Sequence, residues 1–106
     1  MSDWINVAPA AQIGPGEFAV IDVDEIQIAV FNVEGEYHAI EDLCSHDLAC
    51  LTDGEFEGCE VVCPMHGARF DVRTGEALTP PAYEPVPVFP VRIEDGVVQV
   101  RDNRDD

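Results

Sequence analysis

Two short couplets carry the residues best suited to chemistry. Cys44-Ser45-His46 is followed, after sixteen intervening residues, by Cys63-Pro64-Met65-His66. Each couplet offers one soft thiolate and one imidazole, a donor inventory that fits a 2Fe–2S cluster with two cysteines on one iron and two histidines on the other. Replacing two thiolates of an all-cysteine cluster by neutral imidazoles makes the centre less anionic. The incoming electron is then less repelled, and the reduction potential rises.

Three other readings compete. Structural zinc sites usually pair like with like, as Cys-x2–4-Cys and His-x3–5-His, whereas both couplets here are mixed. A catalytic Cys/His pair would use one nucleophile and one base and would leave the second couplet idle. Buried thiols and surface imidazoles adjacent by accident would not explain two such couplets, the second continuing into Gly67.

The elements that must position these residues read as strands. Phe18–Ile21, Ile26–Val33 and Tyr37–Ile40 have strand-like apolar patterns, with Glu34-Gly35 as a hairpin turn. Glu60–Val62 leads into the second couplet and Ala68–Val72 leads out of it toward a turn at Thr74-Gly75. A last hairpin runs from Val86 to Ile93, turns at Asp95-Gly96 and returns through Val97–Arg101. Its alternation slips by one at Phe89-Pro90, which predicts a bulge or an edge position there. The fold class is therefore all-β, one domain over residues 1–106, with both couplets in loops and a Gly- and Glu-rich excursion, Thr52–Gly58, between them. Asp102–Asp106 reads as a frayed tail. Trp4, Phe18 and Phe31 are expected in the core, and His38 is expected to be an ordinary strand residue.

The totals narrow the function. The chain has 106 residues, 46% of them apolar, enough for a modest core. No run approaches the length of a membrane span, and the first residues lack the basic and apolar regions of a signal peptide, so a soluble cytoplasmic protein is expected, with no membrane partner. Twenty-two acidic residues face five arginines and no lysine, for a formal net charge of −17. Such a chain is repelled by nucleic acid; its acidity suits solubility, a salty cytoplasm, or steering toward basic patches on partner proteins. In a reducing compartment Cys50 and Cys59 are expected to be packed thiols rather than a disulfide.

Across Cys44-Ser45-His46, Cys63-Pro64-Met65-His66-Gly67-Ala68-Arg69-Phe70-Asp71 and Thr74-Gly75, the chain resembles the Rieske family. The resemblance implies one Rieske-type 2Fe–2S cluster, with Cys44 and Cys63 on an inner iron and His46 and His66 on an outer iron near the protein tip. It implies a β-sandwich base carrying a smaller inserted cluster-binding subdomain at about residues 42–82, with Pro80-Pro81-Ala82 as a loop covering the cluster. Membrane-anchored members of the family link their two cluster loops by a disulfide. The position of its second cysteine is Met65 here, so that bridge is absent. The same members donate hydrogen bonds to the cluster from a serine and a tyrosine. Ala68 and Phe70 stand there instead, which predicts a potential near the low end of the Rieske range, ~−150 mV.

With His46 and His66 committed to a cluster, only His38 is left, too few for the two-histidine, one-carboxylate site of a mononuclear iron oxygenase. The expected role is an electron carrier rather than an enzyme: a Rieske ferredoxin between a flavin-containing NADH-dependent reductase and a terminal ring-hydroxylating Rieske oxygenase, with Leu48, Met65 and Pro81 around an electron port. The alternatives are a small subunit of a larger reductase, such as an assimilatory nitrite reductase, and a structural zinc module.

Overall fold

The structure is a computed structural model, and it describes residues 4–43, 50–64, 67–79 and 84–103. Among them are ten strands, two single-turn 3₁₀ segments (Ala10–Gln12 and Leu51–Asp53) and no α-helix. The strands are β1 (Trp4–Pro9), β2 (Phe18–Val23), β3 (Ile26–Val33), β4 (Glu36–Glu41), β5 (Glu55–Glu57), β6 (Glu60–Val62), β7 (Arg69–Asp71), β8 (Val88–Phe89), β9 (Val91–Glu94) and β10 (Val97–Arg101). They form three antiparallel sheets, ordered β1-β10-β9, β2-β3-β4-β8 and β5-β6-β7.

The four-stranded sheet is the shared wall. Successive side chains of a strand point to opposite faces, and β3 uses both. Ile28 and Val30 enter one apolar cluster with Ala39, Phe89, Val98 and Val100, against the β1-β10-β9 sheet. Ala29 and Phe31 enter a second cluster with Ile40, Leu51, Val61, Cys63, Ala68, Phe70, Val72 and Val86, against the β5-β6-β7 sheet. Burial on both faces is why β3 is apolar at almost every position.

Turn chemistry sets the registers. The two-residue turns Glu34-Gly35 and Asp95-Gly96 have positive φ at both positions, 54° and 96° in the first and 53° and 79° in the second, the twist that suits a tight hairpin. Between β5 and β6, Gly58 takes φ 62° at the first of two turn positions, where glycine is favoured.

Several expectations need correction. The strand β1 at the start of the chain was not anticipated; it pairs with β10 at the far end. The slip at Phe89-Pro90 is not a bulge; Pro90 does lie at a sheet edge, where the chain passes from one edge strand, β8, to another, β9, and so changes sheet. Phe89 pairs with Ala39 in the middle sheet, Val91 pairs with Val100 in the outer one, and Pro90 lies between them. Having no N–H, Pro90 loses no ladder bond at the crossing, while its carbonyl accepts from the Arg101 N–H at 3.1 Å. The excursion between the couplets contains β5. Asp102, assigned to a frayed tail, is only 7% exposed. Phe31 is fully buried, but Phe18 is 41% exposed because it begins β2 and packs on one side only, its ring 5.7 Å from that of Phe31. Trp4 is half-buried under the Arg92 guanidinium, 4.4 Å from the ring centroid.

Candidate metal centre

Cys63 begins the loop that joins β6 to β7. Its N–H donates to the Ala68 carbonyl at 2.7 Å, and its own carbonyl accepts from the Gly67 N–H at 3.0 Å. Gly67 takes φ 74°, a conformation that costs a residue with a Cβ. These bonds hold Cys63 against Gly67 and Ala68, at the two ends of the loop. The Cys63 side chain is 1% exposed, sits in the inner apolar cluster and carries a free thiol. Cys44, His46 and His66, together with Leu48, Met65 and Pro80-Pro81-Ala82, lie outside the described residues.

The first couplet leaves from the end of β4, and both roots of its loop meet at one carboxylate. Asp42 is 2% exposed. Its Oδ1 accepts the Thr52 N–H at 2.8 Å, and its Oδ2 accepts the Thr52 hydroxyl at 2.6 Å and the Gln27 side-chain amide at 2.9 Å. Its own N–H donates to the Gln27 carbonyl at 2.7 Å. A carboxylate on one side of a loop and a threonine ten residues later are too common a pair to be noticed in a sequence. Beyond Thr52, Gly54 lies so close to the second loop that a Cβ there would collide with the Val62 carbonyl oxygen and lie 3.2 Å from the Pro64 nitrogen. The two ligand loops are thus in backbone contact at their roots.

The segment that approaches Pro80-Pro81 is also held. The Leu78 N–H donates to the Arg69 carbonyl at 2.7 Å, and the Arg69 N–H donates to the Thr79 hydroxyl oxygen at 2.9 Å. Arg69 itself reaches Glu57 and Glu60, each at 3.3 Å. On the return, the Val86 N–H donates to the Gly75 carbonyl at 2.9 Å. Gly75 has φ 78° and no space for a side chain against the Val86 carbonyl. The turn before it is built on Asp71, whose Oδ1 accepts the Arg73 N–H at 2.9 Å and whose Oδ2 accepts the Arg73 guanidinium at 3.0 Å. Those hydrogen bonds hold the Asp71 carboxyl below its ordinary range.

The described roots of three loops are therefore held in place, and one of them begins at Cys63 in the inner core. A buried, unbridged thiol at the root of such a loop is a fitting donor for an iron–sulfur centre, and the two Cys/His couplets supply the mixed donor set. The inner core presents the Ala68 methyl and the Phe70 ring, both fully buried and neither able to donate a hydrogen bond. Cys50 and Cys59 are free and half-buried, as expected. Burial, then the charges of Asp42 and Asp53, push the Cys50 thiol up. His38 is a β4 residue opposite Phe31, its Nε2 3.8 Å from Glu36.

A model of the Rieske [2Fe-2S] domain matches residues 3–90. The chain belongs to the Rieske [2Fe-2S] family. The all-β architecture is that of its solved members, and membership assigns the chain one Rieske-type 2Fe–2S cluster. Among similar Rieske proteins, the ferredoxin component of the naphthalene 1,2-dioxygenase/salicylate 5-hydroxylase systems of a Ralstonia species is 39% identical over 99 residues, covering 93% of this chain and 95% of that one. The solved ferredoxin of carbazole 1,9a-dioxygenase from Nocardioides aromaticivorans IC177 superposes with a TM-score of 0.88 at 36% identity, covering 93% of this chain and 97% of that one. A solved complex of reduced oxygenase and oxidized ferredoxin in carbazole 1,9a-dioxygenase contains a chain that matches with a TM-score of 0.88 at 35% identity, covering 92% of this chain and 91% of its own length. No helix among the described residues is long and apolar enough to cross a membrane.

Proposed function

We propose that this Rieske chain is the ferredoxin component of a ring-hydroxylating dioxygenase system. It takes single electrons from a flavin-containing, NADH-dependent reductase and delivers them to a terminal Rieske oxygenase, in the cytoplasm. The observation that carries this reading is the match along nearly the whole chain to ferredoxin components of such systems, a match that leaves no further domain in these residues for a catalytic iron. The solved oxygenase–ferredoxin complex of the carbazole system supports an oxygenase as the electron acceptor. The alternative of a fixed subunit in a larger reductase draws no support from these relatives.

In this reading Cys44, His46, Cys63 and His66 hold the cluster, and residues of about 42–82 form the cluster-binding subdomain on the β base. When bound, the cluster supplies a one-electron couple. The apolar cluster of Cys63, Leu51, Ala68 and Phe70 would exclude water on the Cys63 side, and Asp42, Gly54 and Gly75 fix the roots of the loops. Few hydrogen bonds are available to the centre from Ala68 and Phe70, so the reduced state gains little stabilisation, and the potential lies at the low end of the Rieske range, ~−150 mV.

The test is reconstitution. NADH, a flavin-dependent ferredoxin reductase, this protein and a ring-hydroxylating oxygenase with an aromatic substrate should give product. Leaving this protein out should abolish it. Failure to accept electrons from any such reductase, together with recovery of the chain only inside a stable larger complex, would favour the subunit reading.

A further inference from the structure

We propose that Asp42 is a positioning residue for the metal centre: its buried carboxylate locks both roots of the first ligand loop, and its negative charge keeps the reduction potential low. The inference rests on the reading of Cys44, His46, Cys63 and His66 as cluster ligands.

The locking is direct. Nine residues separate Asp42 from Thr52, and Cys44 and His46 lie among them. One carboxylate accepts the Thr52 N–H and hydroxyl, so the loop's exit is tied to its entrance, and the Gln27 amide ties both to β3. Two residues beyond Thr52, the tight approach of Gly54 to Val62 and Pro64 passes that constraint to the root of the second couplet.

The charge needs a separate explanation. Closing a loop does not require an ionised group, since an asparagine could accept from Thr52 as well. Burying a carboxylate costs desolvation that a neutral amide avoids. Solubility does not account for it either, because Asp42 is 2% exposed while the chain carries 21 other acidic residues out of 22. Among the described residues, the three donors to its carboxylate, the Thr52 N–H and hydroxyl and the Gln27 amide, are neutral. Surface carboxylates are screened by water and salt, but a buried one acts through a medium of lower dielectric. The field of Asp42 reaches across its own loop: it helps to push up the Cys50 thiol at the loop's far end. A fixed negative charge in this place disfavours an added electron.

Two substitutions separate the parts. In Asp42→Asn the amide oxygen keeps the Thr52 N–H, and its NH2 group can face the Thr52 hydroxyl oxygen and a rotated Gln27 amide, so shape persists and only charge is lost. Thr52→Val keeps the charge and removes one tie. Cluster-loaded wild type and variants are compared by potentiometric optical titration and by the rate of iron release to a chelator. The midpoint of Asp42→Asn is expected to move upward at unchanged iron content. Thr52→Val is expected to keep the wild-type midpoint and to release iron several-fold faster. If Asp42→Asn does not fold, Gln27→Lys, which sets a cation beside the carboxylate, is expected to raise the midpoint in its place. A wild-type midpoint in the charge variants, or wild-type iron release in Thr52→Val, overturns the proposal. A wild-type protein with no reducible cluster overturns the ligand reading beneath it, and that outcome is distinct from a wild type and variant that titrate alike.

Discussion

At the scale of single residues, the site depends on a few polar side chains that each hold a loop root. Asp71 is the clearest after Asp42. Arg73 donates to it from backbone and side chain, which holds its carboxyl below the value of about 3.9 expected in the unfolded chain. A depressed carboxyl contributes stability that is complete above the unfolded value and is lost as pH falls through the folded one. Arg73→Gln should therefore be less stable than wild type at pH 7, and the gap should close below about pH 4. Urea denaturation of both proteins from pH 7 to pH 3 measures this; a gap that persists undiminished at pH 3 would show that Arg73 acts by other means. Residues of this kind were the least legible in the sequence. The Cys/His couplets stand out because their donor types are rare and paired. Asp42, Thr52 and Gln27 are common residues whose meaning comes only from contacts across ten and fifteen positions. The aromatic residues misled for a similar reason. Phe18 and Phe31 look equivalent in the sequence, but one starts a strand and the other lies at the centre of the wall between two cores.

At the scale of elements, turn residues and alternation made most strands readable. The hairpins at Glu34-Gly35 and Asp95-Gly96 carry a glycine where positive φ is needed. The β2–β3 turn, Asp24-Glu25, uses the same geometry without one, at φ 49° and 73°. Left-handed backbone costs a residue with a Cβ roughly 1 kcal/mol. Glu25→Gly should relieve that cost, offset in part by a more flexible unfolded chain, for a net gain of about 0.5 kcal/mol. The measurement is the shift in urea midpoint at unchanged m-value, and a loss of stability contradicts the account of this turn. The sheet change at Pro90 was visible only as a broken alternation, because a period of two says which residues share a face but not which sheet they join. The short strand β5 was missed because its three residues, Glu-Phe-Glu, offer a single apolar position.

At the scale of the whole molecule, the net charge of −17 and the absence of lysine shape encounters more than folding. Electron delivery to an oxygenase with a basic docking face should slow as ionic strength rises, because long-range steering is screened beyond about 8 Å at physiological salt. Stopped-flow reoxidation of the reduced protein from low to high salt measures the dependence; a flat profile removes steering from the account and leaves solubility as the reason for the acidity. The layering matters as much. One core binds the two base sheets together, and a second, containing Cys63, attaches the β5-β6-β7 sheet to the same wall. The ligand loops thus rise from a base that is packed on both sides.

The central claim is that Cys44, His46, Cys63 and His66 hold a single low-potential Rieske cluster that carries one electron. A potentiometric titration of the purified protein, followed by EPR, tests it most directly. One unpaired spin per chain should appear on reduction, in a one-electron transition with a midpoint near ~−150 mV. A colourless protein with bound zinc and no signal on reduction, or a clearly positive midpoint, would contradict it.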